Sequence, residues 1–439
     1  MNLFILQVLA FCSLSSGFNN KYYENEPAFD EDRFFQSIPD FPEEDWTIET
    51  NVLHSNTYYH PNRITPTILY EWSYVNFTWN NLEQYTEAIN TKRYVPENVL
   101  IGGIRFFEND MYMSLPKYRP GVPATLTVVS KAGSKSTNIL VTPFPSWEEN
   151  DDSDCDNLQN VLGIEIDTKG TLWVLDGVRV NNMSIDCPPK LLLFDLNQNG
   201  ALIHTYVFPN EICLQTGGFL NDLVVDETDG GFAYITDNSN IDPGLIVYSR
   251  LQNKSWKFRD STMFADVRTS RFFVDGAVIS TPLPIDGIAL SPSPLVHRKV
   301  FYSTVGGLEL YSIGTDILKN ESSISNGLWR YGVSLLGKKQ GHTDGMMIDS
   351  DNTLYYTLID LYGIGKWNVG NNFDSSEVIY RNRSTVIWAD GIAMDQQGFL
   401  YFTASSAHRY LFPSTELELT SDISFRIFRL YTGTNSYLF

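Results

Sequence analysis

Six times along the chain a small or acidic residue opens a run of alternating apolar side chains, followed by a turn and a second, aromatic-rich run. Three of the six are near copies: IEIDTKGTLWVL at 164–175, MMIDSDNTLYYT at 346–357 and IAMDQQGFLYFT at 392–403. Alternation on both sides of an Asp-containing turn is the pattern of a β-hairpin whose strands have distinct faces. Equivalent positions stand at 102, 163, 222, 287, 345 and 391, giving steps of 61, 59, 65, 58 and 46 residues. A four-stranded propeller blade with its loops takes about 40 to 50 residues, and longer loops absorb the excess. The repeat therefore predicts an all-β chain folded as a six-bladed β-propeller.

Later strands of the blades are legible at 190–195, 245–248 and 308–311, while only 82–90 carries a helical period. A ring of blades removes its last open edge by pairing the two chain ends, and the strand-like stretches 67–72 and 425–431 suit that closure. The aromatic content of 14% supplies bulky side chains through which blades stack. A single propeller domain over 51–439 follows.

The apolar stretch 3–14, ended by Ser15, Ser16 and Gly17, reads as a signal peptide over 1–17. No later run reaches the roughly 20 apolar residues of a membrane-spanning helix, so a secreted, extracellular chain without membrane insertion is expected. Residues 18–50 read as an acidic, irregular leader, with Asp30, Glu31, Asp32, Glu43, Glu44 and Asp45 among few bases. Asn-x-Ser/Thr sites at Asn76, Asn182, Asn253, Asn320 and Asn382 are glycan acceptors in an exported protein. Once Cys12 leaves with the signal, Cys155, Cys187 and Cys213 remain, which allows one disulfide and one spare thiol. The formal charge of −21 argues against nucleic acid and anionic membranes as partners, since both require a basic face. A cationic ligand fits the sign.

In a propeller the innermost strands line a central channel, so the repeated small or acidic positions converge. This places Glu165, Asn221, Asp222, Asp286, Asp344 and Asp390 around one pocket. Three readings compete. Asp-Gly at a strand entry can be a turn device, each carboxylate serving its own blade. An acidic, aromatic-lined channel can hold a small organic amine by ion pairing and cation–π contact. Convergent Glu, Asn and Asp oxygens can also take calcium, as in metal-dependent propeller hydrolases. A proton-transfer enzyme would require a general base, for which His342, beside the Asp344 motif, is the candidate. No HExxH, Walker loop, dinucleotide-binding turn, Gly-x-Ser-x-Gly elbow or CxxC pair occurs.

Particular segments carry a family resemblance. Glu71-Trp72 to Phe77, Tyr94-Val95-Pro96-Glu97-Asn98, Lys117-Tyr118-Arg119-Pro120-Gly121-Val122-Pro123, Gly170-Thr171-Leu172-Trp173, Cys187-Pro188-Pro189-Lys190 and Phe219-Leu220-Asn221-Asp222 resemble the signatures of the insect yellow / major royal jelly proteins. The resemblance covers about residues 70–410 and implies a secreted glycoprotein of pigmentation (melanin), cuticle or eggshell biology. Members commonly carry two disulfides, one joining the turn at Lys169 to the region of Gly230, where this chain has no cysteine. By that resemblance Cys155 and Cys187 form the remaining bridge and Cys213 is spare. Some salivary relatives bind biogenic amines, at positions that align near Asp390 and Ser405 but carry other residues there. Other relatives are associated with dopachrome conversion. A small aromatic or amine ligand in the channel is the implied role, with an enzyme of the dopachrome-conversion type or a calcium-dependent hydrolase as alternatives, and a structural extracellular matrix protein as a third.

Overall fold

The computed structural model describes residues 65–130, 135–177, 187–293, 297–411 and 417–439. The expected signal peptide and leader, the first residues of the domain and Asn182 lie outside these. Within them, five four-stranded antiparallel sheets and one closing sheet form the six blades. Blade 1 comprises Ile104–Phe107, Asp110–Ser114, Leu126–Val129 and Thr142–Pro143; blade 2 comprises Val161–Ile166, Thr171–Asp176, Lys190–Asp195 and Ala201–Val207. Blade 3 comprises Leu220–Asp226, Phe232–Asp237, Gly244–Ser249 and Lys254–Phe258; blade 4 comprises Ile285–Leu290, Lys299–Thr304, Glu309–Gly314 and Ser334–Lys338. Met346–Ile348, Thr353–Leu358, Gly363–Asn368 and Glu377–Arg381 make blade 5. In blade 6, Trp388–Met394, Phe399–Ser405 and Phe425–Tyr431 are completed by the N-terminal strand Thr67–Trp72, which pairs antiparallel with the third strand from Thr67↔Arg429 to Trp72↔Phe425. The two chain ends thus close the ring in the expected way. The helix Leu82–Asn90 forms where its period indicated, capped by the Asn81 side chain on Gln84 N–H.

In blades 2, 5 and 6 the hairpin is held for the same local reason. The Asp of the repeated turn accepts two backbone N–H bonds with one oxygen and an aromatic donor with the other. Asp167 takes Lys169 N, Thr171 N and Trp173 Nε1; Asp395 takes Gln397 N, Phe399 N and the Tyr401 hydroxyl. Apolar clusters then fill the spaces between blades. Trp173 and Leu191 of blade 2 pack with Val225 and Tyr248 of blade 3, and Phe301 and Leu310 of blade 4 pack with Tyr356 and Trp367 of blade 5.

The glycine of the repeated Asp-Gly has a different task from the turn-forming one read from sequence. A Cβ on Gly287 would lie 2.2 Å from Asp344 O, and one on Gly345 2.4 Å from Asp390 O. Each is where the next blade's inner strand crosses closest, and the contact is with backbone that cannot step aside. Gly345→Ala is expected to lower stability by about 2 kcal/mol, since overpacking of a rigid core costs in the range of 1–3 kcal/mol; a chemical-denaturation midpoint equal to that of the parent would refute this reading.

Cys155 and Cys187 form a disulfide, and Cys213 is a buried free thiol, its pKa pushed well up by burial and by the neighbouring Asp237. The turns that the resemblance pairs through a second disulfide are joined instead by a hydrogen bond, Thr168 Oγ1 to Glu227 Oε1 at 2.7 Å. Among the described residues no helix is long and apolar enough to cross a membrane.

Candidate functional site

The inner strands of successive blades touch one another in a ring, blade 6 against blade 1. At the end where these strands begin, they enclose a cavity with about 90 Å³ of free space for water centres, enough for several waters or part of one small organic molecule. Asp222, Asp286, Asp344 and Asp390, from four different blades, line it together with Asn221 and Arg105. Apolar walls come from Leu100, Phe219, Leu283, Val305, Trp388 and Leu411, with Tyr118 edge-on to Phe219 at 6.0 Å.

Two of the cavity carboxyls reach across to neighbouring blades. Asp286 accepts a bond from Asn238 Nδ2 of blade 3 at 2.8 Å, and Asp344 accepts one from Trp388 Nε1 of blade 6 at 2.5 Å. Asp286 and Asp344 also hydrogen-bond to each other. A bond between two carboxyls requires a proton, and burial together with the Asp344, Asp390 and Asp222 charges holds the pKa of Asp286 well above the carboxylate range. Burial raises the Asp344 pKa as well, against the bonds from Asp286 and Trp388. Asp390 is raised well up by burial and by Asp344 and Asp222, and its carboxyl takes no hydrogen bond among the described residues. Asp222 is pushed up to about 6, by burial first, against the opposing pull of Arg105 and a bond from Leu223 N at 2.8 Å.

Glu165 stands apart from this group. Its Oε1 takes Arg105 Nε at 2.8 Å and its Oε2 takes the Tyr437 hydroxyl at 3.2 Å, so it is spent on two structural partners and does not line the cavity. The register explains this: Glu165 follows the apolar Ile164, two residues beyond Gly163, whereas Asp286, Asp344 and Asp390 immediately precede the glycine. Tyr437, only 1% exposed, also accepts Val225 N at 2.9 Å, while its own N–H reaches Ile348 O at 3.1 Å. The C-terminal segment therefore lies across the far ends of the inner strands.

Ser405 is likewise not part of the lining. It ends the second strand of blade 6, opposite Trp388, one layer out from the channel, and its buried hydroxyl has no hydrogen-bond partner among the described residues. His342 also lies outside the lining. Nδ1 is 2.8 Å from Asp360 Oδ2, Nε2 is 2.8 Å from the carbonyl of Thr269, and the ring stacks on Phe272 at 3.9 Å. Both ring nitrogens are engaged by these partners, and the ring is not among the groups that face the cavity. Of the sequon asparagines, Asn253 and Asn320 are exposed, while Asn76 and Asn382 are half-buried in turns that use their side-chain oxygens.

Arg105, Asn238 and Trp388 were not read from the sequence. For Arg105 a signal existed: in the repeat position it shares with Glu165, the other blades carry Val224, Ala289, Met347 and Ala393, so two opposite charges in adjacent blades mark a pair. The same arginine bears on calcium. Glu165 and Asp222 have its guanidinium beside them, at 2.8 and 4.0 Å. Among the described residues no three His, Cys, Asp or Glu side chains come together as ligands of one ion. The residues present do not fit the calcium site that their types suggested.

Fold and cavity together define a six-bladed propeller with an acidic, apolar-walled central pocket. The family model of the major royal jelly proteins matches residues 159–433. The protein named yellow is 26% identical over 373 residues in both Drosophila erecta and Drosophila melanogaster, covering 82% of this chain and 67% of each relative. The chain belongs to the major royal jelly protein family. Among solved propellers, a luciferin-regenerating enzyme aligns at 13% identity and a TM-score of 0.46, covering 77% of this chain and 93% of that one. Regucalcin from Agrobacterium tumefaciens aligns at 12% and 0.43, covering 77% and 91%. At those scores neither bears on the pocket.

Proposed function

We propose that this is a secreted yellow-like glycoprotein that binds a small aromatic amine in its central cavity, within pigmentation, cuticle or eggshell biology. One observation carries the reading: four carboxyl groups from four blades face one small cavity whose walls are apolar and aromatic. Burying like charges together is unfavourable, and such strain is retained where it serves a site. An ammonium group entering the cavity would be met by those carboxyls, and the walls would take its ring. Export is supported by the disulfide, the sequons and the apolar N-terminus, and the pigmentation context by the relatives' name.

The test is a thermal-shift series with dopamine and serotonin, each beside an uncharged analogue of the same ring. A ligand at a hundredfold excess over its dissociation constant stabilises by about 2.7 kcal/mol, so the amines are expected to raise the melting temperature and the uncharged rings are not. Equal shifts from both would remove the carboxyls from the reading, and no shift from either would favour a matrix role without ligand.

The enzymatic alternative is supported by the Asp286–Asp344 pair in place of His342. A carboxylic acid hydrogen-bonded to a carboxyl group beside an apolar wall has the form of an acid–base couple. Turnover of dopachrome that Asp344→Asn abolishes and His342→Gln spares would favour it.

A further inference from the structure

The outer strand of a propeller blade leaves one row of backbone N–H and C=O groups unpaired, a template for a strand of another chain. Five blades carry a protecting feature there. Blade 1 has Pro143; blades 3, 4 and 5 have Lys254, Lys338 and Glu377, with side chains 53, 67 and 62% exposed. In blade 6 the outer strand is covered by Ser136–Thr137. Blade 2 differs: Ala201–Val207 contains no Lys, Arg, Asp, Glu or Pro. A bulge between Leu202 and His204 presents two consecutive apolar side chains, and Leu202, Ile203 and Val207 are 47, 44 and 50% exposed.

The neighbouring blade places one of the sequons, Asn253-Lys254-Ser255, against this strand. His204 Nε2 lies 3.1 Å from Asn253 Oδ1, and the Tyr206 hydroxyl lies 2.9 Å from Ser255 Oγ. Asn253 Oδ1 also accepts the Tyr248 hydroxyl at 3.1 Å, and the residue is exposed. Its oxygen is held on these two groups, while Asn253 Nδ2 makes no hydrogen bond among the described residues.

We propose that an N-linked glycan on Asn253 shields the outer strand of blade 2, in place of the charge, proline or extra strand used by the others, and that the unglycosylated protein pairs through this strand with a second copy of itself. In the modification, Asn253 Nδ2 forms a bond to C1 of the first N-acetylglucosamine and loses a proton, while the C1–O bond to a lipid pyrophosphate donor breaks and the lipid pyrophosphate leaves. Intact mass and peptide mapping of the protein secreted from insect cells are expected to show the glycan at Asn253, and an unmodified Asn253 there would overturn the proposal. Light scattering is expected to show a monomer for the parent and about a twofold larger mass for Asn253→Gln, with Ile203→Lys in that background restoring the monomer. Endoglycosidase trimming of the folded parent gives the same comparison without a substitution. Trimmed protein or Asn253→Gln that stays monomeric at the concentrations tested, or association that Ile203→Lys leaves unchanged, would sink it.

Discussion

Asp390→Asn is expected to make the protein more stable and its cavity a poorer amine site. The carboxyl of Asp390 has no hydrogen-bond donor among the described residues, faces Asp344 and Asp222, and is held well above the carboxylate range by burial and by those two charges. An amide of the same shape removes the repulsion and leaves the packing in place. Replacing buried ion pairs by uncharged residues of similar volume can gain on the order of 1–4 kcal/mol in other proteins, and about 1–2 kcal/mol is the expected gain here at pH 8. For an amine ligand the same change removes a counter-charge in a confined, partly desolvated site, a loss of about 2–3 kcal/mol or an about 30- to 150-fold weaker dissociation constant. Denaturant unfolding and calorimetric titration on the same preparations measure both quantities. Opposite signs are the signature of a residue kept for binding. A variant that loses stability would mean that Asp390 is a structural member of its blade after all, and an unchanged amine affinity would exclude it as a cation partner.

The second large effect is a pair of opposed pH profiles. Asp222 has a folded-state pKa pushed up to about 6 against an ordinary value of 3.8. The folded state therefore binds a proton that the unfolded chain has already released. Its contribution to stability is fully present below pH 3.8 and is lost as pH rises through about 6, and one pKa unit corresponds to 1.36 kcal/mol, so the loss is about 2–3 kcal/mol. Asp286 and Asp390 shift in the same direction. Asp226, held below its ordinary range by Arg298, Thr228 and Lys319 against burial, and Asp266, brought down to about 2 by Arg268, act in the opposite sense at the acid end. Subtracting the stability profile of Asp222→Asn from that of the parent isolates the cavity contribution. The variant is expected to gain about 2 kcal/mol on the parent between pH 4 and pH 8. Amine affinity should run the other way, rising across the same window as the cavity carboxyls ionise. A flat difference profile would show that Arg105 keeps Asp222 ionised throughout.

The repeat was legible because each blade is written locally. A hairpin needs alternating faces, a turn and one Asp to accept the turn's N–H groups, and all of these lie within about a dozen residues. Charge placement was only partly legible. Asp286, Asp344 and Asp390 were found because they recur beside the same glycine, but that spacing could not separate a turn cap from a cavity group. Glu165 and Ser405 were assigned to the channel by type and alignment. The side chain two positions further on meets Arg105 and Tyr437 instead, and a residue on a second strand stands behind the inner one.

By itself the amino-acid sequence determined the number of blades, the hairpins within them, the strands that close the ring and the acidic residues at the strand entries. Periodicity and turn chemistry act over short stretches of chain, so one chain read alone contains them. Only the tertiary structure decided which acids share a cavity, that Asp286 and Asp344 share a proton, that Arg105 neutralises Glu165, and that Tyr437 lies at the far end of the inner strands. These depend on distances between blades, where partners such as Glu165 and Tyr437 are brought to 3.2 Å from opposite parts of the chain. Electrostatic energy and pKa follow distance and burial, and neither is defined until the ring has closed.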